Sequence, residues 1–348
     1  MNQIIAWIKS IQFLIGLQST DDSISDIKEI LIPIRNGRLR ADTYTPKKHS
    51  LGTIVTINGL APLGNRDPRF IIVNKSLCKL GYTVVSPFYD EICDYKISLR
   101  NIDDIKDSIL FISGRKDLAP NGKVSIFAPS FSGSLSLIAA SDTEIANKIN
   151  SICTIGAYAN VSDIIGNLFA NQELDEYGRM ILLLNFLPIS IGKNDSLFKA
   201  IRLAVLDNYF KNKDNLLQPH YEKMKKVDRD FFERLKNDPE FRMQHWDIVV
   251  KKGGKNRILL TALSVMTYID SLKLPILLIH GATDDVVPAS ESSMLYEQLK
   301  KRGVDTKLCI TTLISHGDTG FTLKTLLEVP RLIASFSYFF VKAYERPF

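Results

Sequence analysis

The chain reads as an α/β protein built on a mostly parallel eight-stranded sheet, with helices on both faces and a helical insertion. Three observations predict this. Short apolar runs near 52–58, 83–87, 122–128, 151–157, 275–280 and 306–313 alternate with helical stretches, as parallel strands buried on both faces do. Ahead of them, EILIPIRNGRLRADTYTP reads as two strands joined at Asn36 and Gly37, a two-residue hairpin signal, so the sheet opens with an antiparallel pair. From Asn160 to near Arg257 the strand rhythm stops, and amphipathic helices such as 177–187 and 197–210 take over.

Taken in order, the chain divides into an apolar N-terminal helix (1–20), a core formed by 21–159 and 258–348, and a helical lid (160–257) inserted after the sixth strand. In the first segment Ile4, Ile5, Trp7, Ile8, Ile11, Phe13, Leu14, Ile15 and Leu17 leave only a narrow polar stripe of Lys9, Gln12 and Gly16. The run is too short and interrupted to span a bilayer, and it lacks the early positive region and small-residue cleavage site of a signal peptide. Docking on the core, peripheral contact with a membrane surface and an atypical export signal stay open for it. The reading is otherwise of a cytoplasmic protein. The C-terminal LIASFSYFFVKAY is also short of a span and reads as the last helix covering the sheet.

With 348 residues, 45% hydrophobic and 24% charged, the chain can build a large core plus an inserted subdomain. The net charge of +6 is spread among acids apart from pairs such as Lys225 with Lys226 and Lys251 with Lys252, which argues for solvated faces rather than a nucleic-acid surface. The cysteines (Cys78, Cys93, Cys153 and Cys309) show no C-x-x-C spacing, so neither a metal site nor a disulfide framework is indicated.

Chemistry concentrates in three places. Residues 122–140, GKVSIFAPSFSGSLSLIAA, read as a strand passing through a tight turn of small residues into a helix, with Ser130 at the apex. A serine hydroxyl becomes a useful nucleophile only when the fold projects it and a base takes its proton. The turn demands small residues at the second position before the serine, and at the second and often the third after it. Here these are Ala128, Ser132 and Gly133, a loosened form of G-x-S-x-G. A serine-rich helix cap is the plainer alternative, and Ser132 is a rival nucleophile whose choice would lengthen the turn.

Second, LPILLIHGATDDVVP runs an apolar strand into a glycine turn and an acidic pair. A carboxylate there lies at a strand's carboxyl end, on the same sheet edge as the turn at Ser130. Asp284 is the favoured acid and Asp285 the alternative, with helix capping an alternative role for either. Third, KLCITTLISHGDTGF places His316 in a glycine-bounded loop after the last strand. Of five histidines (His49, His220, His245, His280 and His316), only His316 follows the acid. His220 and His245, with Trp246, lie in charged helical context and read as surface or packing residues.

With these motifs the chain resembles the α/β-hydrolase superfamily, and within it the serine esterases and lipases that carry a helical lid. The resemblance spans about 28–343 and is strongest at the elbow, HGATDDVVP and SHGD. It implies Ser130 as nucleophile, His316 as base then acid, and Asp284 as orienter of the imidazole. It further implies an oxyanion hole of two backbone N–H groups, from Phe131 and from Leu60 in the loop after the third strand. Relatives usually carry His-Gly where this chain has Asn58 and Gly59.

The expected activity is serine hydrolysis of a carboxylic ester or related small acyl substrate through an acyl-enzyme, with no cofactor and no metal. Thioester, lactone or peptide cleavage and acyl transfer remain alternatives on the same triad. So does a non-catalytic binding protein of this fold. A dehalogenase or epoxide hydrolase would need aspartate at the apex. Lid residues Phe169, Leu182, Leu183, Phe186 and Phe198 would suit an acyl chain or simply pack the lid. Oligomeric state is not legible.

Overall fold

The computed structural model of the protein describes residues 1–18, 27–211, 213–251, 254–314 and 328–345. Its chain divides into two compact units: one of Met1–Asp94, Ser98–Ala159 and Ser264–Phe348, the other of Tyr95–Ile97 and Asn160–Leu263.

The first unit is built on one eight-stranded sheet. Its strands are β1 (Ile27–Ile34), β2 (Gly37–Tyr44), β3 (Thr53–Thr56), β4 (Thr83–Pro87), β5 (Val124–Pro129), β6 (Ile149–Ile155), β7 (Ile276–Gly281) and β8 (Thr306–Thr311). They lie in the order β1-β2-β4-β3-β5-β6-β7-β8, and every pairing from β4 to β8 is parallel. This is the mostly parallel sheet expected from the sequence, and it is the α/β-hydrolase architecture. Residues in β3, β4, β5 and β7 are buried almost without exception, because helices cover both faces and leave no solvated side to alternate against.

The opening hairpin departs from expectation by one residue. Ile34 pairs with Gly37, so the two-residue turn is Arg35 and Asn36, with Gly37 already in the ladder. Acidic side chains account for the shift: the Arg35 backbone N–H donates to Asp107 at 2.8 Å and its guanidinium pairs with Asp103 at 3.0 Å.

The helices of this unit are α1 (Gln3–Gly16), α2 (Pro68–Lys79), α3 (Asp90–Cys93), α4 (Arg100–Gly114), α5 (Ser130–Ala139) and α6 (Thr143–Ala146) before the insertion. The insertion supplies α7 (Val161–Ala170), α8 (Glu176–Ile191), α9 (Asp195–Tyr209), α10 (Gln218–Tyr221), α11 (Lys226–Asn237), α12 (Pro239–Lys251) and α13 (Lys255–Ala262). The chain then returns through α14 (Ala289–Lys301) and ends in α15 (Val329–Ala343).

One sheet face is covered by α1, α2 and α15. Leu77 of α2 and Phe336, Phe339 and Phe340 of α15 pack with Ile54, Phe127, Cys153 and Leu277 of the strands. Into this layer α1 sends Phe13, fully buried, with ring centroids 4.9 Å from Phe336, 5.7 Å from Phe340 and 6.0 Å from Phe127. The N-terminal segment is therefore docked on the core. Among the described residues no helix is long and apolar enough to cross a membrane.

The helical unit is organised by two buried arginines. Arg179 donates to the carbonyls of Asn171 and Leu174, at 3.0 and 3.2 Å. Arg242 donates to Phe169, Leu235 and Lys236 carbonyls and to the Gln172 side chain, all within 2.9–3.0 Å. Burial, reinforced by the neighbouring Arg179 charge, brings the Arg242 guanidinium down to about 10. Phe169, Leu182, Leu183 and Phe186 are buried, the first and last edge-on to Trp246, so they serve packing. His245 sits between Phe231 and Phe241 and bonds Ser190, and His220 bonds the Ser196 carbonyl.

Truncating Phe13 to alanine should cost about 3–5 kcal/mol of unfolding free energy, since it opens a cavity among three other phenylalanines. Urea denaturation followed by circular dichroism measures it. A loss below about 1 kcal/mol would show that α1 is not part of the core.

Candidate functional site

The strand-to-helix turn at Ser130 has no linking residue: β5 ends at Pro129 and α5 begins at Ser130. Such a junction needs a left-handed backbone at the apex, and Ser130 has φ 52. A non-glycine residue pays about 1–2 kcal/mol for that conformation, so it persists only where its surroundings enforce it. They do so by close packing. A Cβ on Gly133 would stand 2.8 Å from the Ala128 carbonyl oxygen and 3.1 Å from Thr154, which explains glycine at the third position after the apex.

Ser130 is partly exposed, whereas Ser132 and Ser134 are buried with their hydroxyls engaged. Ser132 Oγ donates to the Asn58 carbonyl at 2.5 Å, and Ser134 Oγ bonds both the N–H and the carbonyl of Tyr158. The rival Ser132 is thus a structural tie between the elbow and the loop after β3. That loop passes directly over the apex: a Cβ on Gly59 would lie 3.8 Å from Ser130 Cβ.

The loop is held from below by a buried polar cluster. Thr56 donates to Asn74 at 2.7 Å, Asn74 donates to Ser86 at 3.0 Å, and Asn65 donates to the Ser86 carbonyl at 2.6 Å. Asn58, 2% exposed, donates to the Gly59 carbonyl at 2.9 Å and to Cys93 Sγ at 3.7 Å. Burial pushes the Cys93 thiol up to about 12, which keeps it protonated. Leu60 follows in this loop, and Phe131 follows the apex within the first turn of α5, where backbone N–H groups have no intrahelical acceptor. Phe131 stacks on Tyr158, ring centroids 6.3 Å apart. Among the described residues the buried Tyr158 hydroxyl has no hydrogen-bond partner, a feature the sequence did not single out.

Strand register brings the acid to the same edge. Pro129 pairs with Ile155, and Ile155 with Ile279, so the chain leaves β5 toward Ser130 and β7 toward Asp284 from one row of the sheet. Two strand spacings separate β5 from β7, roughly 10 Å. Asp284 is mostly buried, and its Oδ1 accepts the N–H groups of Val286 and Val287 at 3.0 and 2.9 Å. Its Oδ2 lies 3.5 Å from Nε2 of His280. Asp285 is exposed. Asp284 therefore fastens the turn before α14 and presents a fixed carboxylate, while the N-terminus of α14 itself receives no side-chain cap among the described residues.

His280, fully buried, bonds Ser292 Oγ at 2.6 Å and the Val287 carbonyl at 2.8 Å, while Ser292 reaches the Ala157 carbonyl at 3.1 Å. It ties the turn after β7 to α14 and to the loop after β6.

His316 lies outside the described residues. The chain leading to it is described as far as Ile314, and it runs against the turn after β7: a Cβ on Gly281 would collide with the Ile314 carbonyl oxygen and lie 3.7 Å from Asp284 Cβ. Two residues before His316, the backbone is thus beside the segment that carries Asp284.

Among the described residues no group of three or more His, Cys, Asp or Glu side chains could hold a metal ion, and all four cysteines are buried and free. The helical unit contains a cleft of about 730 Å³ walled by Trp246, Val250, Leu260 and Gly166, with Asp163 and Arg257 on its lining.

Comparison with known proteins agrees with the fold. Residues 234–344, which carry Asp284 and His316, match the prolyl oligopeptidase family. No curated protein matches by sequence. Among solved structures, an acylaminoacyl peptidase in complex with Z-Gly-Gly-Phe-chloromethyl ketone is 15% identical with a TM-score of 0.54, covering 94% of this chain and 43% of its own. The acylaminoacyl peptidase of Pyrococcus horikoshii is 16% identical with a TM-score of 0.53, over 96% of this chain and 44% of its own. An esterase of Pyrococcus furiosus is 16% identical with a TM-score of 0.51, over 92% of this chain and 91% of its own. The chain thus spans less than half the length of the peptidases and nearly all of that esterase.

The packing around Gly281 makes a prediction. Gly281→Ala drives a methyl group into the Ile314 backbone and should lower thermal stability by several degrees, about 1–3 kcal/mol. An unchanged melting temperature would show that the backbone at Ile314 is not seated on Gly281.

Proposed function

We propose that this chain, an α/β-hydrolase with the architecture of the serine hydrolases, cleaves a carboxylic ester or related acyl compound through an acyl-enzyme at Ser130. The observation that carries this reading is the φ of 52 at Ser130, a strained apex with the Gly59 backbone beside its Cβ. Strain of this kind collects where a side chain must be held out for chemistry.

In the proposed cycle Ser130 Oγ attacks the substrate carbonyl carbon while His316 takes the hydroxyl proton. Asp284 orients the imidazole and stabilises its protonated form. Negative charge on the former carbonyl oxygen is held by the N–H groups of Phe131 and Leu60, preorganised so that stabilisation is not lost to reorganisation. Collapse expels the alcohol, which leaves with the proton from His316. Water then gives a proton to the same histidine and attacks the acyl carbon; the bond to Ser130 Oγ breaks, that oxygen takes the proton back from the histidine, and the acid is released. In this reading the helical insertion acts as a lid that shields the acyl group from water and sets chain-length preference.

A peptide or acyl-amide bond is the second reading, favoured by the prolyl oligopeptidase match over 234–344. A ladder of p-nitrophenyl esters assayed beside acylated amino-acid anilides separates the two: the ester reading expects turnover of the esters and little of the anilides.

A fluorophosphonate probe should label the wild-type protein and Ser132→Ala but not Ser130→Ala. Unlabelled wild-type protein that is folded would sink the catalytic reading in favour of a binding protein.

Asp284→Asn should lower kcat by about 10³–10⁴-fold, whereas Asp285→Asn should stay within about threefold because its carboxylate faces solvent. The reverse order would move the acid to Asp285.

A further inference from the structure

The docked helix α1 buries the face that its composition least suggests. Ala6, Ser10 and Phe13 face the core, while Ile4, Ile5, Trp7, Ile8, Ile11 and Ile15 are 68, 48, 38, 50, 42 and 65% exposed. At 100° per residue, Ile4, Ile8, Ile11 and Ile15 fall within about 60° of arc, opposite the buried stripe. Together the six side chains expose on the order of 600 Å² of apolar surface, at the top of what a monomer shows in its largest patch.

We propose that this stripe is the contact of a two-fold dimer in which α1 packs antiparallel against α1 of a second copy. The spacing of the isoleucines is the first argument. Steps of four, three and four residues are those of a two-helix seam, and they read the same in both directions. A two-fold axis between Ile8 and Ile11 therefore sets Ile4 against Ile15 of the second copy and Ile8 against Ile11, so one patch is its own complement.

Area is the second argument. The four seam isoleucines of two copies bury on the order of 800 Å² in total, and Ile5 and Trp7 at the flanks of the stripe bring the ceiling to about 1,200 Å², the range of weak, reversible interfaces. Charge is the third. Surface-binding helices draw on basic residues as well as apolar area. The one cation of α1, Lys9, instead donates to the Leu80 carbonyl of its own chain at 2.6 Å. A second copy fits the uncharged stripe better than an anionic lipid surface does.

Sedimentation equilibrium of the full chain at micromolar concentration should give a reversible dimer. The doubly substituted Ile8→Glu, Ile11→Glu protein should raise its dissociation constant by more than about tenfold, with the circular dichroism melt and the labelling of Ser130 unchanged. Orientation is read by cysteine crosslinking, undisturbed by the four buried native thiols. Mixed Ile4→Cys and Ile15→Cys proteins should form the mixed disulfide, and neither should pair with itself. Self-pairing of each would overturn the antiparallel arrangement. A wild-type protein that stays monomeric, or whose dimer survives the double substitution, overturns the proposal. Monomer that sediments with phosphatidylcholine–phosphatidylserine vesicles would assign the stripe to lipid instead.

Discussion

The left-handed backbone at Ser130 is the constraint around which this site is arranged. A strand that runs into a helix with no linking residue must turn within one amino acid, and only a positive φ does that. The cost of about 1–2 kcal/mol is small beside the burial of a parallel sheet. It is tolerable only if nothing nearby crowds the turn. Ala128, Ser132 and Gly133 meet that condition by size, and Ser132 goes further by bonding the Asn58 carbonyl. The same bond fixes the distance between the apex and the loop after β3. A single hydroxyl thus couples the partly exposed Ser130 to the backbone that passes over it.

The sheet does the remaining positioning. In parallel strands every carboxyl end reaches the same edge, so loops from β3, β5, β6, β7 and β8 begin side by side although far apart in sequence. What separates a useful edge from a mere cluster of loops is restraint. Thr56, Asn74, Ser86 and Asn65 hold the loop after β3, and His280 with Ser292 holds the turn after β7 to the loop after β6. These groups are buried, where each hydrogen bond left unmade would cost more than the bond itself contributes. The network therefore resists partial opening, and Asp284 inherits its rigidity through its bonds to Val286 and Val287.

Strands of this sheet were legible in the sequence because burial on both faces writes them as continuous apolar runs, and the elbow because steric crowding restricts it to small residues. The choice between Ser130 and Ser132 rests on the length of the turn, and the structure adds that Ser132 is buried and bonded while Ser130 is partly exposed. Less legible were features made by partners distant in the chain. The hairpin turn moved by one residue because Asp103 and Asp107, on a helix some 70 positions later, capture Arg35. No local pattern singles out Arg179 or Arg242, yet both are buried and bond carbonyls at the ends of helices. His280 was passed over because its value lies in Ser292 and Val287, which no local pattern connects to it. His316 lies outside the described residues, which end on that side at Ile314.

In α1 the usual logic of an amphipathic helix is inverted, and the reason is the depth of its seat. A helix that fills the groove between α2 and α15 must approach them closely: a Cβ on Gly16 would come within 2.8 Å of Ser76 Oγ, and Ser10 is fully buried with its hydroxyl turned back to the Ala6 carbonyl. Small residues permit that approach, and one large ring, Phe13, fills the space that remains above β5. Isoleucines could not occupy this seat without lifting the helix off the sheet layer. Their position on the outer face is therefore a consequence of docking. Docking alone does not require them to be isoleucine, since polar residues would satisfy water at the same four positions. Keeping four β-branched apolar side chains in one arc has a solvation cost that only a covering surface removes. The two faces of α1 thus answer to different neighbours, the inner one to its own core and the outer one to a second surface.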